Sequence, residues 1–229
     1  MFTGGGTWCS NILAFNSSGV YRLRPFVWRN NDVYGSTDIF NGRPADYVNM
    51  PNQTGMNGNI SVDPLFLAPL TGDFHLSAGS PCIDVGNDSD APAWPDLDGK
   101  TRIFGDHVDM GCFEWRPVIE VTLDIKPDTL NPKSKGQYIT ACIELPAGRQ
   151  IADIDIASLR LNATIEPVAE RQPQIGDYDA DGIPDLMVKF DREALCGLLS
   201  AGEQTITLTG TFSDGADLMG EDTIRVLGK

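Results

Sequence analysis

The chain has 229 residues, enough for one large or two ordinary domains, and its 24 Gly and 15 Pro, among many Asn and Asp, cut it into short segments. Its formal charge of −15 divides into six basic against thirteen acidic residues over 1–115 and eleven against nineteen over 116–229. Both halves are repelled by phosphate backbones and anionic lipid, and no stretch approaches the roughly 20 apolar residues of a membrane span, so neither nucleic acid nor membrane insertion is expected.

The start, Met1-Phe2-Thr3-Gly4-Gly5-Gly6, has no signal-peptide pattern, and the expectation is an export signal lost or lying further upstream. Two short apolar groups follow about 20 residues apart: Trp8-Cys9-Ser10-Asn11-Ile12-Leu13-Ala14-Phe15, then Phe26-Val27-Trp28-Arg29-Asn30-Asn31-Asp32-Val33-Tyr34-Gly35. That spacing fits successive coils of a right-handed parallel β-helix, with Asn or Gly at the corners.

Further on stand Asn59-Ile60-Ser61-Val62-Asp63-Pro64-Leu65-Phe66, Gly72-Asp73-Phe74-His75-Leu76-Ser77, Gly79-Ser80-Pro81-Cys82-Ile83-Asp84, and Val108-Asp109-Met110-Gly111-Cys112-Phe113-Glu114. The order of these motifs resembles the C-terminal end of pectin-lyase-like β-helix proteins of prokaryotic surfaces. The resemblance implies terminal coils and a cap over residues 1–115, without the central groove where such proteins carry their catalytic groups. Asp96, Asp98 and Asp106 could gather a cation, but Asp96-Leu97-Asp98-Gly99 reads first as a tight turn, since Asx side chains and Gly satisfy its backbone. His75 and His107 read as structural, as do Trp8, Trp28, Trp94 and Trp115 in core or cap. An unfinished solenoid end would expose a sheet edge, to be covered by more coils or by a second copy.

Arg116-Pro117 marks the boundary to a second domain, 116–229. An alternating strand over 118–125 is followed by strands at 137–144, 158–161, 186–190, 205–212 and 223–227, with one short helix over 192–200. Six or seven short strands in this length indicate an immunoglobulin-like β-sandwich. Val121-Thr122-Leu123-Asp124-Ile125-Lys126-Pro127 and Leu208-Thr209-Gly210-Thr211-Phe212-Ser213-Asp214-Gly215 resemble a non-catalytic accessory module found at the ends of secreted prokaryotic proteins. Its members imply spacing, adhesion or anchoring. The whole chain is therefore expected to be all-β.

The sharpest chemical motif is Asp177-Tyr178-Asp179-Ala180-Asp181-Gly182-Ile183-Pro184-Asp185. Carboxylates at positions 1, 3, 5 and 9, Gly at 6 and a carbonyl at 7 match a calcium loop, which makes Asp177, Asp179, Asp181, Ile183 and Asp185 the expected ligands and calcium the expected ion. The loop resembles those of dockerins and thrombospondin type 3 repeats, but Val188 stands where an EF-hand has its bidentate Glu. Five cysteines without C-x-x-C spacing suggest no zinc site; in an exported chain Cys142 with Cys196 is the first pair to test for a disulfide. Five glycosylation sequons occur, at Asn16, Asn52, Asn59, Asn87 and Asn162.

No catalytic constellation is visible, and the chain is expected not to be an enzyme. The leading expectation is a structural or adhesive module of a secreted or cell-surface protein. The alternatives are a polysaccharide-binding ancillary part of a lyase or hydrolase, and a self-assembling subunit of an extracellular filament or surface layer. Polysaccharide, cell-surface components or a second copy joined through the open β-helix end are the partners these readings name.

Overall fold

The computed structural model describes residues 7–16, 20–21, 27–37, 46–48 and 51–228; the opening hexapeptide and Phe26 lie outside them. Strands dominate the regular structure, with one α-helix among the described residues, so the chain is all-β. It divides into two compact units, Met1–Trp115 and Arg116–Lys229.

Unit 1 begins with six short strands: β1 (Thr7–Cys9), β2 (Ile12–Ala14), β3 (Val20–Tyr21), β4 (Val27–Arg29), β5 (Asp32–Tyr34) and β6 (Tyr47–Val48). They pair in parallel, β1 with β4, β2 with β5 and β3 with β6, placing Trp8 beside Trp28 and Leu13 beside Val33. A further parallel bridge joins Asp32 to Ile60. Parallel neighbours need a connection that brings the chain round to the same end. Here it is made with corners, each a left-handed residue followed by Asn: Ser10 (φ 54°) before Asn11, Asn30 (φ 48°) before Asn31, and Gly58 (φ 75°) before Asn59.

Those three Asn form a hydrogen-bonded column. Asn11 donates its backbone N–H and its Nδ2 to Asn31 Oδ1 at 3.1 and 2.9 Å. Asn31 Nδ2 donates to the carbonyls of Trp8 and Arg29, and its backbone N–H donates to Asn59 Oδ1 at 3.0 Å. Asn31 and Asn59 are buried, and their side chains pair backbone groups of the corners. A side chain at Gly58 would bring its Cβ within 2.5 Å of Asn30 Nδ2, which explains glycine at that corner. Inside the turns, Val20, Trp28 and Val33 form a small core with Trp8, Leu13 and Tyr47 against it.

The rest of unit 1 has one hairpin, β7 (Phe66–Ala68) with β8 (Asp73–Leu76), and two single 3-10 turns, Pro69–Thr71 and Asp88–Asp90, with irregular chain between them. Leu76, Cys82 and Met110 form its core. Carboxylates take the place of a strand ladder there. Asp84 Oδ1 accepts the amides of Asp106 and His107, Asp96 Oδ1 those of Asp98 and Lys100, and Asp109 those of Asp84 and Trp115. The turn expected at 96–99 is present, with Gly99 at φ 78°.

Unit 2 contains β9 (Val118–Glu120), β10 (Thr122–Lys126), β11 (Thr129–Leu130), β12 (Tyr138–Glu144), β13 (Ile154–Leu161), β14 (Gln174–Gly176), β15 (Asp185–Asp191), α1 (Arg192–Leu198), β16 (Gly202–Phe212) and β17 (Asp217–Val226). One antiparallel sheet has the order β10-β12-β15-β14; the other has the order β11-β17-β16-β13, with β9 also on β17. A single core that includes Ile125, Ile143, Leu159, Phe190, Ile206, Leu208 and Phe212 draws on both sheets. Along β16 the inward positions Ile206, Leu208 and Phe212 are buried, and Gly210 fills the inward place where a Cβ would lie 2.7 Å from Leu159 Cδ2. Helix α1 starts where Asp191 Oδ1 caps the amide of Ala194 at 2.7 Å.

The strand expected over 118–125 is two strands. At Val121 the chain leaves the five-stranded sheet for the four-stranded one: β9 lies parallel to β17, and β10 antiparallel to β12. The switch depends on Gly220, where an added Cβ would meet Val121 Cγ2 at 2.8 Å and Val121 O at 3.0 Å. Asp222 Oδ2 then accepts the Ile125 amide at 2.7 Å.

All five cysteines are free. Cys142 and Cys196 do not pair. Ile139, Ala141 and Ile143 of β12 face the core, so alternation turns Cys142 to the opposite face, whereas Cys196 packs against the core. Neighbouring side chains still bury Cys142, and desolvation pushes its thiol up to about 11.

Candidate metal centre

The acidic loop sits at a corner of the four-stranded sheet. Glu144 ends β12, Asp185 begins β15 and Gly176 ends β14, and the three lie in one cross-strand row. Residues 177–184 therefore form the turn of the β14–β15 hairpin. A turn this tight needs left-handed residues, supplied by Ala180 (φ 64°) and Gly182 (φ 94°). The carboxylates also order the loop: Tyr178 N–H donates to Asp185 Oδ2 at 2.6 Å, Gly182 N–H to Asp177 Oδ2 at 3.1 Å and Ile183 N–H to Asp181 Oδ1 at 2.7 Å.

Two acidic triads result, sharing Asp179. In each of Asp177, Asp179, Asp185 and Glu144, Asp179, Asp181, the carboxylate oxygens lie within 4.8 Å of one another. Asp185 is buried, while Asp177, Asp179 and Asp181 are exposed. Desolvation first, then the charges of Asp181, Asp179 and Asp185, hold the Glu144 carboxyl above its ordinary range. These groups could hold a metal ion, and a donor set made of carboxylate oxygen alone suits a hard cation.

The structure thus gathers the four predicted Asp in one loop but distributes them over two triads. Ile183, expected to offer its carbonyl, lies in the same loop with its amide bonded to Asp181. Glu144 was not among the expected ligands: it is far from the loop in sequence, and strand register alone brings it there. Val188, at the twelfth position, is buried in the core and cannot turn to an ion.

Both histidines join carboxylates in unit 1. His75 Nδ1 lies 2.6 Å from Asp73 Oδ1 and Nε2 lies 2.9 Å from Asp98 Oδ2, with the ring stacked on Phe113. His107 Nδ1 lies 3.0 Å from Asp88 Oδ2. Trp28 is buried and Trp115 packs on the second core, but Trp94 is 71% exposed and so is not a core residue. Asn59 is buried with Nδ2 donating to Trp28 O and Met56 O, which closes that sequon to a glycan in the folded chain. No described helix is long and apolar enough to cross a membrane. Comparison with protein-family models, with curated proteins and with solved structures finds no match to the chain.

Proposed function

We propose that the chain is a non-catalytic, calcium-stabilised structural or adhesive module of a secreted or cell-surface protein. In this reading unit 1 is the last coils and cap of a right-handed parallel β-helix, and unit 2 is an immunoglobulin-like sandwich. Parallel pairing at a 20-residue step and the Asn column support the first part. Two sheets on one core support the second.

The observation that carries the calcium reading is the convergence of Asp177, Asp179, Asp181, Asp185 and Glu144 at the end of three adjacent strands. Glu144, from the neighbouring strand, takes over the charge that position 12 lacks. Calcium there would offset part of the carboxylates' mutual repulsion and tie the short edge strand β14 to β12 and β15. An exposed loop with few preformed ligands suits the weak affinity of extracellular modules, with Kd roughly 10⁻⁴–10⁻³ M.

The test is thermal unfolding of the full chain in chelator and in calcium. At calcium about 100-fold above Kd, binding to the folded state alone contributes about 2.7 kcal/mol. The melting temperature of unit 2 should rise by several degrees. Melting that is the same in calcium and in chelator would overturn the reading.

A further inference from the structure

The closing segment of unit 1 contains a buried carboxylate whose surroundings suit its neutral form. Glu114 is 5% exposed. Its Oε1 accepts the amides of Phe104 and Asp109 at 3.3 and 3.1 Å, while its Oε2 is buried with no partner. An ionised carboxylate with one bare oxygen away from water carries a heavy desolvation cost, which a proton on that oxygen lowers by removing the charge. Asp109, itself buried, adds like charge beside it; Arg102 is the cation that offsets part of this.

The same segment holds a ring that is fully bonded only when charged. Neutral imidazole has one N–H, yet both nitrogens of His75 face carboxylates, Asp73 on its own strand and Asp98 on the facing loop. Only the imidazolium donates to both. His75 and Glu114 belong to one network. Asp98, bonded to His75, donates its backbone N–H to Asp96 Oδ1, and Asp96 Oδ2 accepts the backbone N–H of Glu114. Glu114 Oε1 accepts the amide of Asp109, whose carboxylate accepts the amides of Asp84 and Trp115.

We propose that this network is a proton-operated latch, which fastens the closing segment of unit 1 in mildly acidic surroundings and loosens it as pH rises past neutrality. The directions of titration agree. Burial, with Asp109 next, pushes Glu114 up from 4.5 to about 7, and burial, with Asp84 adding, pushes Asp109 up to about 6. His75 is also raised: its carboxylate partners outweigh desolvation, the largest single effect, which acts the other way. A group whose folded-state pKa is raised binds its proton more tightly when folded. Its contribution is complete below the unfolded-state value and is lost as pH climbs through the folded-state value. For Glu114 that window runs from 4.5 to about 7. The folded-to-unfolded ratio of unit 1 should therefore fall by on the order of tenfold to a hundredfold between pH 5 and 8.5.

All four Trp lie in unit 1, so tryptophan fluorescence follows its unfolding within the full chain. With chelator present, so that no bound metal contributes, the melting midpoint should drop by several degrees from pH 5 to pH 8.5. Glu114→Gln, which imitates the protonated acid, should raise the midpoint at pH 8.5 and flatten the profile. A wild-type midpoint that is flat or rising over this range would overturn the proposal, as would an unaltered profile in a folded Glu114→Gln chain. If that variant does not fold, carboxyl NMR of the wild-type chain decides: a Glu114 midpoint well above 4.5 supports the latch, and an ordinary one defeats it.

Discussion

Replacing Asn31 with Ala is expected to cost unit 1 several kcal/mol, more than any other single side-chain truncation among its corners. The change removes two donors and an acceptor that receives two hydrogen bonds. It takes the Asn31 side chain away from the carbonyls of Trp8 and Arg29 and from the amide of Asn11, in a corner that is only part-open to solvent. Each buried polar group left unpaired costs about 1–3 kcal/mol, against a total of roughly 5–15 kcal/mol for an ordinary domain. Asn31→Asp should fare little better, because it keeps the acceptor, loses both donors and buries a charge. Urea unfolding followed by tryptophan fluorescence measures the loss. A cost for Asn31→Ala below about 1 kcal/mol would mean that the column does not hold the turns together.

In unit 2 the corresponding expectation concerns the strand switch. Gly220→Val places a branched side chain where a Cβ alone would already press on Val121 Cγ2 and Val121 O. The second of these is backbone, which cannot swing aside as a side chain can, so β9 or β10 must move from its sheet. Overpacking of this kind costs about 1–3 kcal/mol, and the backbone contact puts this site at the upper end. Gly197→Val is the control within the same unit, since nothing lies within 4 Å of a Cβ there and its φ is not positive. Circular dichroism during urea unfolding should give a lower midpoint for the Gly220 variant than for the control. Equal midpoints would show that the close approach does not matter.

The residues that spoke most clearly in the sequence were those whose role is local. Asn and Gly near the short apolar groups mark corners, although the left-handed residues are Ser10, Asn30 and Gly58 and the neighbouring Asn11, Asn31 and Asn59 act through their side chains, and the period-two pattern of Ile206, Leu208 and Phe212 marks a half-buried strand. The loop over 177–185 was legible for the same reason, since its spacing of Asp and Gly is a local pattern. What escaped was whatever depends on register. Glu144 ends an ordinary alternating strand, and nothing near it in sequence announces that β12 will set it beside Asp185. The break at Val121 was hidden in an unbroken alternation from Ile119 to Ile125, because its cause, Gly220, lies on a distant strand. Cys142 looked like a partner for Cys196 until β12 turned it away from the core. The carboxylate network of Asp84, Asp96, Asp109 and Glu114 was equally silent, as acids that accept backbone amides follow no period.

The proposed function stands or falls with calcium binding by residues 177–185 and Glu144 and the stabilisation of unit 2 that follows from it. Calorimetric titration of calcium into the full chain and into the Asp177→Ala/Asp181→Ala variant tests it most directly. One member of each acidic triad is lost in that variant. The wild-type chain should give saturable binding with Kd roughly 10⁻⁴–10⁻³ M, and the variant none in that range. A wild-type chain without saturable binding, or a variant whose isotherm matches the wild type, would rule calcium binding by this loop out.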